Sequence, residues 1–281
     1  MLQAVPIGGG QRSRGGGRAR IRSASTTAPV RLLGDDEPAA VEVERPAGSS
    51  PFLLTCDHAG HRIPRRLGDL GVDAASLVTH VGWDIGALGV AQRLSALLDA
   101  TLVAQPYSRL VIDCNRRPGI ASSIPVRSER IEIPGNRALD AAARRARERE
   151  ILEPYHAEIA RLLDERAGAG RPTLLLAVHS FTPIYDGVPR PWHVALSNDD
   201  YRPLAAAVLA ALRADHDLVV GDNEPYSVDD TDYTIPIHGA RRGLPRALLE
   251  LRHDRIATGA GQDGWARRLA RILGGLRLPL E

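Results

Sequence analysis

Pro172-Thr-Leu-Leu-Leu-Ala-Val178 is the most apolar run in the chain, and it stops abruptly at His179. It is far shorter than the roughly 18 apolar residues that mark a bilayer-spanning helix. A short apolar run of this kind reads as a strand covered on both faces, as in the middle of a parallel sheet. Phe52–Cys56 has the same character and ends at Asp57 and His58; Thr101–Ala104, Arg109–Asp113, Trp192–Leu196, His216–Val220 and Leu248–Arg252 read as further strands. Segments of helical period lie between them. Ile85–Leu98 places Leu88, Ala91, Leu94 and Leu98 on one face, with Asp84 positioned to cap its start. Residues 138–167 form a long arginine- and glutamate-rich helix with i,i+4 pairs such as Arg144 and Glu148. Leu204–Arg213 and Gly264–Leu273 complete the set, and His179-Ser-Phe-Thr-Pro183 is expected to be a loop.

Strands alternating with helices predict a single three-layer α/β domain, a mostly parallel mixed sheet flanked by helices, from residue 41 to 281. Ligands of such sheets bind beyond the carboxyl ends of the strands, where the polar clusters after Cys56, Ile112 and Val178 fall. Residues 1–40 are set apart as a disordered tail, with Arg12, Arg14, Arg18, Arg20 and Arg22 among glycines and serines and no acid before Asp35. No GxGxxG motif with its acidic ribose binder, no P-loop and no internal repeat is present.

Charge and composition narrow the function. A net charge of +2 gives no reason to expect nucleic acid or a membrane as partner. All 36 Lys+Arg residues are arginine, which excludes Schiff-base and lysine-base chemistry. Cys56 and Cys114 are too few and too far apart for a disulfide framework or a CxxC metal site, and read as buried thiols of a cytoplasmic protein. A GxSxG nucleophile elbow is lacking.

Five polar clusters remain. Asp57, His58 and His61 follow a buried strand, as metal ligands could, although two histidines on a surface turn would look the same. His179 follows an apolar strand and could be a ligand or a core-edge histidine. Asp84 could cap a helix or ligate a metal. Arg109, Asn115 and Arg116 suit bidentate capture of a carboxylate, while Arg109 and Asp113 could equally form a structural pair. Glu250 alternates with Leu249 and Leu251, so its carboxylate is enclosed and suited to act as a general base; Arg252 shares its strand face. Together these supply two histidines and a carboxylate for a metal, an acid–base glutamate, and arginines for an anionic substrate.

At these residues the chain resembles the N-formylglutamate amidohydrolase family. The resemblance rests on Cys56-Asp-His-Ala-Gly with Pro64, Trp83-Asp84-Ile-Gly-Ala87, Ser108-Arg-Leu-Val-Ile-Asp-Cys-Asn-Arg116 and Pro154-Tyr-His156. It continues through His179-Ser-Phe-Thr-Pro183, Gly221-Asp-Asn-Glu-Pro-Tyr-Ser227, His238-Gly239 and Glu250-Leu-Arg252. It implies a zinc-peptidase-like fold shared with zinc carboxypeptidases and aspartoacylase-like deacylases. It also implies one divalent metal, zinc expected, held first and last by His58 and His179. Those relatives use His-x-x-Glu where this chain has His61, so the middle ligand is open among Asp84, His61 and Asp57. Asp84 is preferred because its block is similar to the family's. By the same resemblance Glu250 activates the attacking water, Asn115 and Arg116 hold the substrate carboxylate, and Arg109 or Arg252 assists. The implied reaction cleaves the amide of an N-acyl acidic amino acid, N-formyl-L-glutamate to formate and glutamate, in histidine catabolism. Alternatives are a deacylase or small peptidase of other N-acyl amino acids, and a non-enzymatic module acting through the basic tail.

Overall fold

The structure, a computed structural model, describes residues 31–277. In chain order the first elements are β1 (Glu42–Glu44), β2 (Phe52–Cys56), α1 (Ala74–Leu77), α2 (Ala87–Leu98) and β3 (Thr101–Ala104). A small hairpin follows, β4 (Arg127–Ser128) with β5 (Ile131–Glu132), then α3 (Ala141–Arg147) and α4 (Glu153–Gly168). Strand β6 (Leu174–Phe181) leads to a second hairpin, β7 (Ile184–Tyr185) with β8 (Val188–Pro189). The chain closes through β9 (Val194–Ser197), α5 (Pro203–Arg213), β10 (Val220–Asp222), β11 (Arg246–Arg252) and α6 (Gly259–Gly275).

Seven strands form one sheet in the order β1-β3-β2-β6-β11-β9-β10. Neighbours are parallel except β1 against β3 and β11 against β9. Side-chain alternation divides the core. Phe52, Leu54 and Cys56 join Val90, Leu94, Leu209 and Leu269 of α2, α5 and α6 on one face. Leu53, Leu175 and Leu248 join Ile159, Leu162 and Leu163 of α4 on the other. This is the three-layer α/β architecture read from the sequence.

Local differences have local causes. Asp84 does not cap α2: its carboxylate points into the sheet end, and only its backbone carbonyl meets the helix, accepting from Ala87 N at 3.2 Å. The cap is Gly86, left-handed at φ 80°, where a Cβ would meet Ile256 O at 2.2 Å. Arg109–Asp113 is not a strand but a buried turn, with Val111 N bonded to Ser108 O. Its apolar residues fill the second core without pairing. The long helix begins at Ala141, capped by the Asp140 carboxylate, because Ala138 takes a left-handed φ of 53°. Its two parts are joined by a wider turn, Glu148–Leu152, which ends just before Pro154, where a backbone donor is missing in any case. His179–Phe181 is strand rather than loop, since β11 pairs with it to the end, Glu250 opposite His179. The strand expected at 216–220 lies at Val220–Asp222, and the last helix starts at Gly259, capped by Thr258.

Of the segment assigned to a tail, residues 1–30 lie outside the described residues. Residues 31–40 belong to the body: Leu32 and Ala40 are buried, and Glu150 accepts from the backbone N–H of Leu32 and Leu33. Among the described residues no helix is long and apolar enough to cross a membrane.

Candidate active site

The carboxyl ends of β2, β6 and β11 open into a cleft of about 500 Å³. Chain direction decides what reaches it: β2 delivers His58, β6 delivers His179, and β11 delivers Glu250. The loop before α2 adds Asp84, and the turn after β3 adds Arg109, Asp113, Asn115 and Arg116.

His58, Asp84 and His179 are all buried, and one ligand atom from each lies within 4.8 Å of the others. Their arrangement specifies which ring nitrogens carry protons. His58 Nε2 is 2.8 Å from Asp113 Oδ1, and His179 Nε2 is 2.8 Å from Asp57 Oδ2. A carboxylate only accepts, so each Nε2 carries a proton. Both Nδ1 atoms face Asp84 Oδ2, at 3.3 Å and 2.9 Å, and donate to it in turn, so each ring is held protonated; a cation in that place would displace those protons and take the Nδ1 lone pairs. Two carboxylate-backed imidazoles converging on a third carboxylate form a donor set that fits a divalent cation. Of the candidates for the middle ligand, Asp84 stands in this group. Asp57 instead backs His179, and His61 packs against the Trp83 ring, centroids 5.0 Å apart.

The backing carboxylates are themselves anchored. Asp57, fully buried, accepts from Tyr155 Oη at 2.8 Å and Thr234 Oγ1 at 2.7 Å. Asp113 accepts from Arg109 Nη2 at 2.6 Å, Arg109 Nε at 3.1 Å and the Asn115 backbone N–H at 2.9 Å. Burial alone would raise both carboxyls, but hydrogen bonds and charge from His179 at Asp57, and from Arg109 and His58 at Asp113, hold them ionised below the usual range. Burial opposes charge on the His179 ring too, yet Asp57 and Asp84 push its pKa well up.

Glu250 differs from every other carboxylate here. It is buried, its Oε2 has no hydrogen-bond partner, and its pKa is pushed up to about 7, chiefly by burial with Asp84 adding to the rise. A carboxyl near neutrality with an unpartnered oxygen, on a residue lining the cleft, can take and return a proton.

The expected substrate binders divide. Arg116 lines the cleft; its Nη1 is engaged by Asp232 and by Asn115 O at 3.1 Å. Arg109 lines it too, but all its donor nitrogens are committed, Nε and Nη2 to Asp113 and Nη1 to Asp84 at 3.4 Å. Asn115 is used at both ends of its amide: Nδ2 donates to Asp232 at 3.0 Å, and Oδ1 accepts from Tyr233 N and Thr234 N at 3.3 and 3.1 Å. Arg252 is not brought to the cleft. It lies past Glu250 at the strand end, where it donates to Asp254 and to the carbonyls of Arg190 and Pro191. The sequence gives no sign of Asp57 and Asp113 as supports, nor of Asp232, which engages Arg116 and Asn115. Asp113 itself is legible in the Asp-Cys-Asn-Arg motif, whereas Arg116 and Asp232, 116 positions apart, carry no local sign of their pairing.

An enclosed acid–base glutamate beside two carboxylate-backed histidines and a third carboxylate defines a hydrolase site at the mouth of an α/β sheet. The chain belongs to the N-formylglutamate amidohydrolase family, whose model matches residues 50–257, and is thus a hydrolase acting on amides. The gene product Atu2144 of Agrobacterium tumefaciens is 40% identical in sequence, with a TM-score of 0.84, covering 87% of this chain and 97% of that one. The N-formylglutamate amidohydrolase of Ralstonia eutropha JMP134 shares the fold at 19% identity, with a TM-score of 0.61, covering 84% of this chain and 96% of its own. No curated protein matches the chain.

Proposed function

We propose that the protein hydrolyses the amide of an N-acyl acidic amino acid, with N-formyl-L-glutamate as substrate and formate and L-glutamate as products. The observation that carries this reading is Glu250, enclosed, near-neutral and with a free oxygen, beside His58, Asp84 and His179. Those three residues would hold one divalent metal, zinc by the chemistry of two imidazoles and a carboxylate. When bound, such a metal supplies Lewis acidity to the amide carbonyl and the attacking water.

The protein's own groups do the rest. Glu250 Oε2 accepts a proton from the attacking water as its oxygen bonds to the acyl carbon. The same carboxyl then returns the proton to the amine nitrogen as the C–N bond breaks, so one water yields one acid and one amine. Asp57 and Asp113 hold His179 and His58 in the tautomer that presents Nδ1. Arg116 binds a substrate carboxylate through its uncommitted Nε and Nη2. A small dicarboxylate fits a cleft of this size, and with this reading we propose a small-molecule partner, no nucleic-acid or membrane partner, and a cytoplasmic setting in histidine breakdown.

Formate release from N-formyl-L-glutamate tests the reading directly. The purified protein is expected to release it, to lose activity on chelation and to regain it with zinc, while Glu250→Gln keeps metal and loses turnover. Normal turnover by that variant overturns the assignment. Release from N-acetyl but not N-formyl amino acids would move the substrate to another acyl group.

A further inference from the structure

Resting on that reading, the cleft has to choose an acidic side chain over a neutral one. An N-formyl dicarboxylic amino acid brings two carboxylates, and besides His58 and His179 the cleft walls carry four basic side chains: Arg109, Arg116, Arg127 and His80. Arg109 is spent on Asp113 and Asp84. His80 Nε2 is 2.9 Å from Glu129 Oε2. Arg116 retains Nε and Nη2. Among the described residues Arg127 retains both terminal nitrogens: its Nε donates to Glu129 O at 2.8 Å, and the nearest carboxylate oxygen, on Glu132, is 3.8 Å away, beyond hydrogen-bond reach. Two guanidinium groups with open N–H edges thus stand on the cleft to meet two carboxylates.

Arg127 is exposed, its side chain 60% accessible, but the hairpin that bears it is fastened on three sides. Ile133 N donates to Val126 O at 2.9 Å below it, and β4 pairs with β5. At the tip Glu129 holds a left-handed φ of 52°, a conformation disfavoured for a side chain with a Cβ. Its carboxylate is fixed by His80 and by Asp186 N at 2.7 Å, and Arg130 Nε reaches Asp186 Oδ1 at 2.9 Å. The hairpin β4–β5 is in this way tied both to the loop before α2 and to the second hairpin, β7–β8. Arg127 and Ser128 both line the cleft. The Arg127 Nε bond to the backbone of Glu129 sets the plane of the guanidinium and leaves its outer fork for a ligand.

We propose that Arg127 is the specificity-determining residue of this hydrolase: it binds the side-chain carboxylate of the substrate, while Arg116 binds the α-carboxylate. The pairing accounts for selection of acidic over isosteric neutral amino acids, and it places selectivity on a hairpin separate from the reacting groups.

Arg127→Met removes the charge and keeps most of the stem. Steady-state kinetics with N-formyl-L-glutamate and its neutral isostere N-formyl-L-glutamine reads the difference. For the glutamate substrate kcat/KM is expected to fall on the order of 100-fold, carried by KM, the size of a lost charge-assisted pair. For the glutamine substrate it should stay within about threefold, since no charged partner is lost there. An equal fall on both substrates, or no fall on either, overturns the proposal. If the unmodified protein cleaves neither substrate, the proposed function fails, and Arg127 is still read by calorimetric binding of the amino acids themselves. L-glutamate should then bind the unmodified protein more tightly than L-glutamine does, and Arg127→Met should abolish the difference. A difference that survives, or that never existed, overturns the proposal.

Discussion

Replacing Glu250 by glutamine should change stability in a way that depends on pH, independently of turnover. Folding carries this carboxyl from an ordinary 4.5 to about 7, because burial removes the water that would stabilise its charge and Asp84 adds repulsion. The folded state therefore holds the proton more tightly than the unfolded chain. The stability this gives is fully present below pH 4.5 and is lost as the pH rises through about 7. The distance between those values corresponds to about 3 kcal/mol once the group is ionised in both states. Glutamine does not titrate, so Glu250→Gln escapes that loss. The stability of the variant minus that of the unmodified protein should grow by about 2 to 3 kcal/mol between pH 5 and pH 8.5.

Any fixed cost of seating an amide against the unpartnered Oε2 position is the same at both pH values and cancels in this difference. Urea unfolding of chelator-treated protein measures the gap. Chelation matters because a cation beside the group would favour the ionised form and shrink it. A gap that is constant with pH, or that closes as the pH rises, would show that the Glu250 carboxyl is not held near-neutral by its surroundings.

Three further expectations concern the groups around it. His179→Ala removes an imidazole from the converging group, and elemental analysis should find the bound metal reduced from stoichiometric to trace; full occupancy would contradict the assignment. Asp57→Asn weakens the acceptor that orients His179 and should lower metal affinity about 10- to 100-fold in competition with a chromophoric chelator. Unchanged affinity there would mean the ring is held by packing alone. Gly86→Ala places a Cβ 2.2 Å from Ile256 O at a φ of 80°, so thermal unfolding should show a loss of at least about 2 kcal/mol, and an unshifted Tm would refute the steric reading.

What the sequence told about the site follows from how far each inference had to reach. Strand ends were legible because a change from apolar to polar residues is local: Cys56 to Asp57 and Val178 to His179 each mark where a central strand leaves the core, and the side chains just beyond line the cleft. The apolar run Leu110–Ile112 misled for the same reason. Apolarity reports burial, and these residues are buried in a turn whose backbone pairs with no strand. Parity along β11 placed Glu250 and Arg252 on one face but could not say where that face meets the cleft, and two residues carry Arg252 beyond it to the carbonyls of Arg190 and Pro191.

Charge partners were the least legible. Arg109 reads as a free substrate binder until Asp84 and Asp113 are seen to engage all three of its nitrogens. Asn115 reads likewise until Asp232 and Thr234 arrive from a segment more than a hundred residues on. An arginine binds a ligand only with the N–H groups its neighbours leave open, and that remainder is a property of the folded contacts. Arg127 is the converse case: no motif marks it, and its partners among the described residues leave its outer fork open.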